Sequence, residues 1–173
     1  MALRVGQPVF DHSVQAYVRG EPAPIVFELS SHRGSWVVLF FYPGDFTLIW
    51  PTELAAFAKR HDDFIREGAV LLAASTNSCF SHKAWFEIDP RLAEVRYPVI
   101  ADSLRALSES FGVLLEDGAA HRGTFIIDPN GVLNPGAQYA ALVPGAAADD
   151  LRRDYSSTED MVAQYFNTSA FVP

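Results

Sequence analysis

The sequence contains only one cysteine, Cys79, among its 173 residues. A single thiol excludes an internal disulfide and any metal site built from several cysteines. Basic residues are also scarce, because 13 Lys and Arg against 21 Asp and Glu leave a net charge of −8. This balance argues against nucleic acid or an anionic membrane as a partner, since phosphate contacts need clustered Lys and Arg.

Long hydrophobic runs are missing as well. The longest, over residues 36–42, is far shorter than the ~20 residues that a membrane-spanning helix needs. The first ten residues lack the apolar centre of a secretion signal, so we expect a cytoplasmic location. With 49% hydrophobic and 20% charged residues, the composition is typical of a globular protein, and the length favours one domain with or without an appendage.

Strands and helices are predicted to alternate along the first 133 residues. The chain begins with a turn-rich entry at 11–31, with a hairpin as one arrangement, and ends this region with a β-hairpin at 123–133. Between them, strands are predicted at 36–42, 69–75 and 97–101. The helices that alternate with these strands are predicted from Pro51 to Gly68, at 78–88 with Ala84 and Trp85 inward, and at 103–111. Such alternation predicts an α/β fold with a parallel sheet core, to which the last hairpin adds an antiparallel edge. This layout is that of a thioredoxin-like fold.

The pattern changes after Leu133, where turn residues interrupt the chain. Residues 146–155 and 157–166 are predicted to form one or two helices, so the C-terminal tail is expected to be helical. We therefore predict a domain over residues 1–133. An extension over residues 134–173 would pack on that domain or on a partner subunit.

Three stretches together resemble the peroxiredoxin family, in its alkyl hydroperoxide reductase/thiol-specific antioxidant branch. They are VVLFFYPGDFTLIWPTEL at 37–54, STNSCFSHKAW at 75–85 and SLRALSESFGVLLEDGAAHRGTFIIDPNGVL at 103–133. The resemblance covers about residues 1–133. It implies a peroxiredoxin-type mixed sheet flanked by helices, with a divergent tail.

The resemblance also locates the family's site motif, Pro-x3-Thr-x2-Cys, at the start of the first long helix. Here the motif reads Pro43, Thr47 and then Trp50, so the position of the peroxide-reducing cysteine holds a tryptophan. The family's resolving cysteine would lie in the tail, which contains none. Peroxide reduction needs a thiolate that becomes a sulfenic acid, so the resemblance implies the fold without the activity.

Glu53 and Arg122 match the remaining polar residues of the family's site, where the resemblance implies an ion pair between them. An indole in place of a thiol would overpack the site by ~1–3 kcal/mol unless its neighbours move. Trp50 either fills the pocket and stacks on Arg122, a contact worth ~0.5–2 kcal/mol, or becomes exposed by unwinding of the first helical turn. Natural divergence and an engineered change both remain open as origins of Trp50. The candidate ligand-binding residues are Phe46, Thr47, Trp50, Trp85, His121 and Arg122.

Two further side chains have alternative interpretations. Cys79 is the candidate reactive thiol near the start of a helix, but a small, partly buried loop residue is the favoured interpretation. For His82, packing near the site or capping of a neighbour is favoured over an acid–base role. No metal-ligand spacing occurs, so we expect no metal and no cofactor, and four histidines are expected at the surface: His12, His32, His61 and His121.

Three functions follow from these residues. The first is a peroxiredoxin-like protein without thiol peroxidase activity that binds a small molecule or a protein. The second is a non-redox enzyme that uses Thr47, Trp50 and Arg122 on an organic substrate, with Arg122 available to pair with an anionic one. The third is a one-cysteine peroxidase that uses Cys79. The resemblance further implies a homodimer or a higher oligomer, without nucleic acid or membrane partners.

Overall fold

The aromatic run after Ser35 forms strand β3, Trp36–Phe41, near the middle of a six-stranded sheet. The computed structural model describes residues 3–48 and 50–134. β3 pairs in parallel with β4, Ala69–Ser75, and antiparallel with β6, Gly123–Ile127. Residues 37–41 are all buried, as expected for a strand that is paired on both edges and covered on both faces.

Across the sheet the strands lie in the order β2 (Ile25–Glu28), β1 (Ser13–Tyr17), β5 (Val99–Ala101), β4, β3 and β6. β5 runs parallel to β4, whereas β1 is antiparallel to β5 and pairs with β2. The predicted parallel core with an antiparallel β6 edge is confirmed. The entry hairpin also forms, and it adds a second antiparallel edge beside β5 that the sequence did not locate.

The helix predicted from Pro51 to Gly68 is instead two helices, α1 at Trp50–Lys59 and α2 at His61–Arg66. The break lies at Arg60, with φ −101° and ψ 6°, and its carbonyl accepts hydrogen bonds from the amides of both Asp63 and Phe64. The chain therefore turns after α1. The turn buries Phe64 and leaves Ile65 exposed, although both belong to the apolar pattern that predicted one helix.

Helix α3 spans Cys79–Ile88 and is capped by Ser78, whose hydroxyl accepts from the Ser81 amide at 3.2 Å. Trp85 faces inward as predicted, but Ala84 is exposed, which corrects that expectation. The inner side of the helix is filled by larger side chains, so the small residue falls on the outer side.

Helix α4 is shorter than predicted and covers only Ala106–Ser110. Arg105 adopts a left-handed backbone with φ 62°, so the helix cannot begin earlier. The buried Asp102 carboxylate accepts from the amides of Leu107 at 3.1 Å and Ser108 at 2.7 Å, which satisfies the first turn of the helix.

Aromatic side chains pack on both faces of β3. Phe40 stacks on Phe57 of α1 with ring centroids 4.2 Å apart, while Phe41 contacts Phe111 and Phe125 at 5.5 and 5.7 Å. Successive residues of a strand point to opposite faces, so these neighbours cover the two sides of the sheet.

The outer edge of β6 is closed by the predicted hairpin and by the N-terminal segment. Asp128 and Asn134 donate their amides to the carbonyls of Val132 and Ile126, both at 2.9 Å, and the Val9 amide reaches Gly131 at 2.9 Å. Covering the edge in this way removes a template for aggregation.

The predicted tail helices at 146–155 and 157–166 lie outside the described residues, as does nearly all of the predicted extension, so the proposed domain boundary stays a prediction. Within residues 3–48 and 50–134, no helix has the length and apolar character required to cross a membrane.

Phe57→Ala should lower the free energy of unfolding by about 3–5 kcal/mol, because it leaves a cavity under Phe40 in the core. Urea unfolding followed by circular dichroism measures the loss. Phe10→Ala is the matched control, since Phe10 is exposed and should change stability by less than about 0.5 kcal/mol. Equal losses in the two variants would contradict the packing described for α1.

Candidate functional site

The candidate site lies where β3 ends and the chain passes through residues 43–48 into α1. Phe46 has a left-handed backbone with φ 58°, which is uncommon for a bulky side chain and marks local strain. Its ring lies 6.0 Å from that of Trp85. Thr47 donates its hydroxyl to the Gly44 carbonyl at 3.4 Å, so the loop is partly held by its own hydrogen bonds.

Trp50 is the first residue of α1, and its ring packs against the core while staying partly exposed. The guanidinium carbon of Arg122 lies 4.7 Å from the centre of this ring. Arg122 also forms an ion pair with Glu53, one helical turn after Trp50. The sequence left open whether Trp50 stacks on Arg122 or becomes exposed by unwinding of the helix, and the structure has the stacked arrangement. The ring of Trp50 and the carboxylate of Glu53 together hold Arg122 in place.

Trp85 and His121 are two of the candidate ligand-binding residues, and the structure places Trp85 in the core and His121 at a half-buried position. Trp85 is only 2% exposed and packs edge-on against Phe86. His121 is half-buried, and its backbone amide donates to the Val113 carbonyl at 2.6 Å. Trp85 is therefore part of the core, and it borders the site through Phe46 and Tyr42.

The site contains a buried ionisable pair, Asp45 and His82, that sequence reasoning recognised only in part. Nδ1 of His82 lies 3.0 and 2.9 Å from the two carboxylate oxygens of Asp45, and the two side chains are 0% and 1% exposed. Nε2 of His82 lies 3.2 Å from the carbonyl of Ile100, which only an N–H can satisfy. A proton must also lie between Nδ1 and the carboxylate, since two bare acceptors at 2.9 Å would repel each other.

Further polar groups converge on Asp45. The hydroxyls of Tyr42 and Ser81 donate to its two oxygens at 2.8 and 2.6 Å, and its own amide donates to the Asn77 side chain at 3.0 Å. These bonds tie the loop at 43–48 to α3 and, through His82, to β5. Asp45 was missed because its partner is 37 residues away along the chain. The sequence shows only an acidic residue in the loop before α1, which does not reveal its partner.

Cys79 is the first residue of α3 rather than a loop residue, and it is only 3% exposed. Burial raises the pKa of its thiol to about 11, so the thiol is protonated at neutral pH. A helix N-terminus tends to lower a thiol pKa, but here the loss of hydration outweighs that effect. The environment of Cys79 therefore suits an inert side chain.

Histidine positions match no metal centre. The four histidines that were expected at the surface are half-buried instead; His32 stacks on Phe27 and His61 lies against Tyr97. Among the residues that the structure describes, no group of three or more His, Cys, Asp or Glu side chains is arranged to hold a metal ion.

Comparison with known proteins agrees with this architecture. The profile of the AhpC/TSA family matches residues 5–135, about three quarters of the sequence. The chain belongs to this family. Peroxiredoxin prdx-2 from Caenorhabditis elegans is 47% identical over 131 residues, which cover 73% of this chain and 64% of that protein. Peroxiredoxin-2 from Pongo abelii is 44% identical over 134 residues, 75% of each chain.

Solved AhpC structures share the fold of this AhpC/TSA protein. AhpC from Enterococcus faecalis superposes with a TM-score of 0.75 at 27% identity, covering 98% of this chain and 97% of that one. Mycobacterium tuberculosis AhpC gives a TM-score of 0.73 at 32% identity, covering 89% and 96%. The predicted family and the peroxiredoxin-type thioredoxin-like fold are both confirmed.

Asp45→Ala should lower the free energy of unfolding by about 3–5 kcal/mol, because it leaves buried His82, Tyr42 and Ser81 without their shared acceptor. Asp62→Ala is the control, since Asp62 pairs with Arg96 at 3.3 Å on the surface and should cost about 0–1 kcal/mol. Urea denaturation of both variants measures the difference, and similar losses would refute a structural role for the buried pair.

Proposed function

We propose that this AhpC/TSA protein lacks thiol peroxidase activity and acts by binding a small molecule or a protein. The observation that carries the proposal is Trp50 at the start of α1, stacked on the same Arg122 that Glu53 holds. We assign this position to the family's peroxide-reducing cysteine on the basis of the motif Pro43, Thr47 and Trp50.

The chemistry of the side chain explains the proposed loss. A thiolate at the start of α1 would be stabilised by the helix N-terminus and by the positive charge of Arg122. An indole has no comparable lone pair, because the nitrogen electrons belong to the aromatic system. The surroundings of Trp50 therefore suit a nucleophile that the residue itself does not supply.

The single thiol is a poor substitute for the missing one. Cys79 is buried, and at neutral pH a pKa of about 11 leaves roughly one thiol in ten thousand ionised. This supports a protein without thiol catalysis over a one-cysteine peroxidase.

The contacts of Arg122 also weigh against a repurposed enzyme. An anionic substrate would need this guanidinium, but its charge is already opposed by Glu53 and one face is covered by Trp50. A ligand would have to displace one of these contacts. Binding elsewhere on the surface is therefore favoured over catalysis in this pocket.

An exposed apolar surface near the site supports self-association. Phe80, Ala84 and Ile88 repeat every four residues along the outer side of α3, so they form one stripe. With the neighbouring loop, the large exposed side chains are Phe46 at 57%, Leu48 at 88%, Phe80 at 76% and Ile88 at 70%. Monomers seldom expose apolar patches of this kind, so we propose a second copy as the partner, in a homodimer or a higher oligomer.

Trp50→Cys should be oxidised by hydrogen peroxide, whereas the parent protein should stay unmodified at Cys79. A thiol beside Arg122 with a pKa near 6 would be ~1,000-fold or more richer in thiolate than Cys79 at pH 7. Intact-mass measurement and peptide mapping during a peroxide titration distinguish the two sulfur atoms.

Ser103→Cys is the control for that experiment, since it places a thiol in an exposed turn after β5 and should react only at the ordinary rate of a surface cysteine. Rapid oxidation of Cys79 in the parent would overturn the proposal. A Trp50→Cys thiol no faster than the Ser103→Cys thiol would show that the site is not preorganised for peroxide.

Phe80→Asp should shift the protein toward the monomer, because a charge in the α3 stripe cannot be buried against a second copy without a large desolvation cost. Sedimentation velocity at several concentrations measures the assembly state. Phe10→Asp changes an aromatic residue of similar exposure away from α3 and should leave the assembly intact. A monomeric parent protein would contradict the proposed homodimer.

A further inference from the structure

Tyr42 follows β3 and is buried in the polar cluster around Asp45. Its hydroxyl donates to the Asp45 carboxylate at 2.8 Å and lies 3.2 Å from Nδ1 of His82. Burial raises the pKa of this phenol well above its ordinary value, and the Asp45 charge raises it further. The phenol is therefore neutral under ordinary conditions, and its proton can pass only to a neighbouring protein group.

A second oxidisable ring lies beside it. The ring centres of Tyr42 and Trp85 are 6.1 Å apart, and both residues are buried. Of the two rings, Tyr42 has a carboxylate as its hydrogen-bond acceptor. A phenylalanine at position 42 would fill the same space, so the phenol adds a hydrogen bond to Asp45 that ring packing alone does not need.

The acceptor matters because removing one electron from a phenol makes it a strong acid. The oxidised ring is stable only after its proton has left, so a base already at hydrogen-bond distance makes the electron easier to remove. Asp45 is such a base, and it remains hydrogen-bonded to His82 and Ser81 when it accepts the proton.

We propose that Tyr42 and Trp85 form a redox pair that accepts one oxidising equivalent from a one-electron oxidant, such as a high-valent metal complex, at the protein surface. The oxidant takes one electron from Trp85, and Trp85 recovers it from Tyr42. The Oη–H bond of Tyr42 breaks while an O–H bond forms on Asp45. The products are a neutral tyrosyl radical, a protonated Asp45 carboxyl, unchanged Trp85 and the reduced oxidant.

Tyr97 is a second buried tyrosine, but the acceptor of its hydrogen bond is not a carboxylate. Its hydroxyl donates to the Leu54 carbonyl at 2.7 Å, and burial raises the pKa of its phenol as well. A backbone carbonyl accepts a hydrogen bond but cannot hold the proton as a carboxylate does. Tyr97 is therefore a matched control in burial and ring type that differs in its acceptor.

The test uses laser-flash generation of tris(bipyridine)ruthenium(III) in solution with the full-length protein. Transient absorption and electron paramagnetic resonance follow the tyrosyl radical, and the slowly decaying component reports a buried ring that cannot couple to another protein. We expect this component in the parent and in Tyr97→Phe, and its loss in Tyr42→Phe. Trp85→Phe should retain the component but form it more slowly.

Asp45→Asn should slow formation of this radical by ~100-fold, which is the lower end of what a positioned proton acceptor contributes. Should that variant fail to fold, the rate in the parent protein in heavy water provides the same test, because a proton-coupled step must slow there. Persistence of the slow component in Tyr42→Phe, equal loss in Tyr97→Phe, or a rate indifferent to both Asp45 and heavy water would overturn the proposal.

Discussion

The hydrogen-bonded pair of Asp45 and His82 connects the parts of the molecule on which the site depends. It joins the loop after β3 to α3 and, through the Ile100 carbonyl, to β5. A pair of ionisable side chains this deeply buried is stable only because its polar neighbours are satisfied, including Tyr42 and Ser81. The strained Phe46 and the start of α1 are positioned by that anchor, so the geometry around Trp50 follows from it.

Around Trp50 an ion pair and a stacked aromatic ring meet at one guanidinium. Glu53 holds Arg122 at the first turn of α1, an arrangement suited to a negative charge, and an aromatic ring now covers the guanidinium. Membership of the AhpC/TSA family accounts for the scaffold, but a shared fold does not by itself establish a shared activity. The proposed binding role and the proposed redox pair involve different residues, so either can fail without affecting the other.

Several elements could be predicted from the chain because their signals are local. β4 was predicted at 69–75 and α3 at 78–88, since a buried apolar run and a Ser cap need no distant partner. The prediction of one long helix after Pro51 was wrong, because the apolar periodicity of the sequence continues through Arg60. In the structure the chain turns at Arg60 and buries Phe64. Ala84 was placed inward for a similar reason, as an apolar residue type does not reveal which face its larger neighbours bury.

By itself the sequence determined the single thiol, the tryptophan after Pro43 and Thr47, the acidic balance and the alternation of strands and helices. These depend on composition and on neighbours within a few residues. Only the tertiary structure decided that Arg122 stacks on Trp50, that Asp45 faces His82 and that Cys79 is buried with a raised pKa. Each of these depends on side chains distant along the chain or on loss of water, and both arise only when the sheet and its helices assemble.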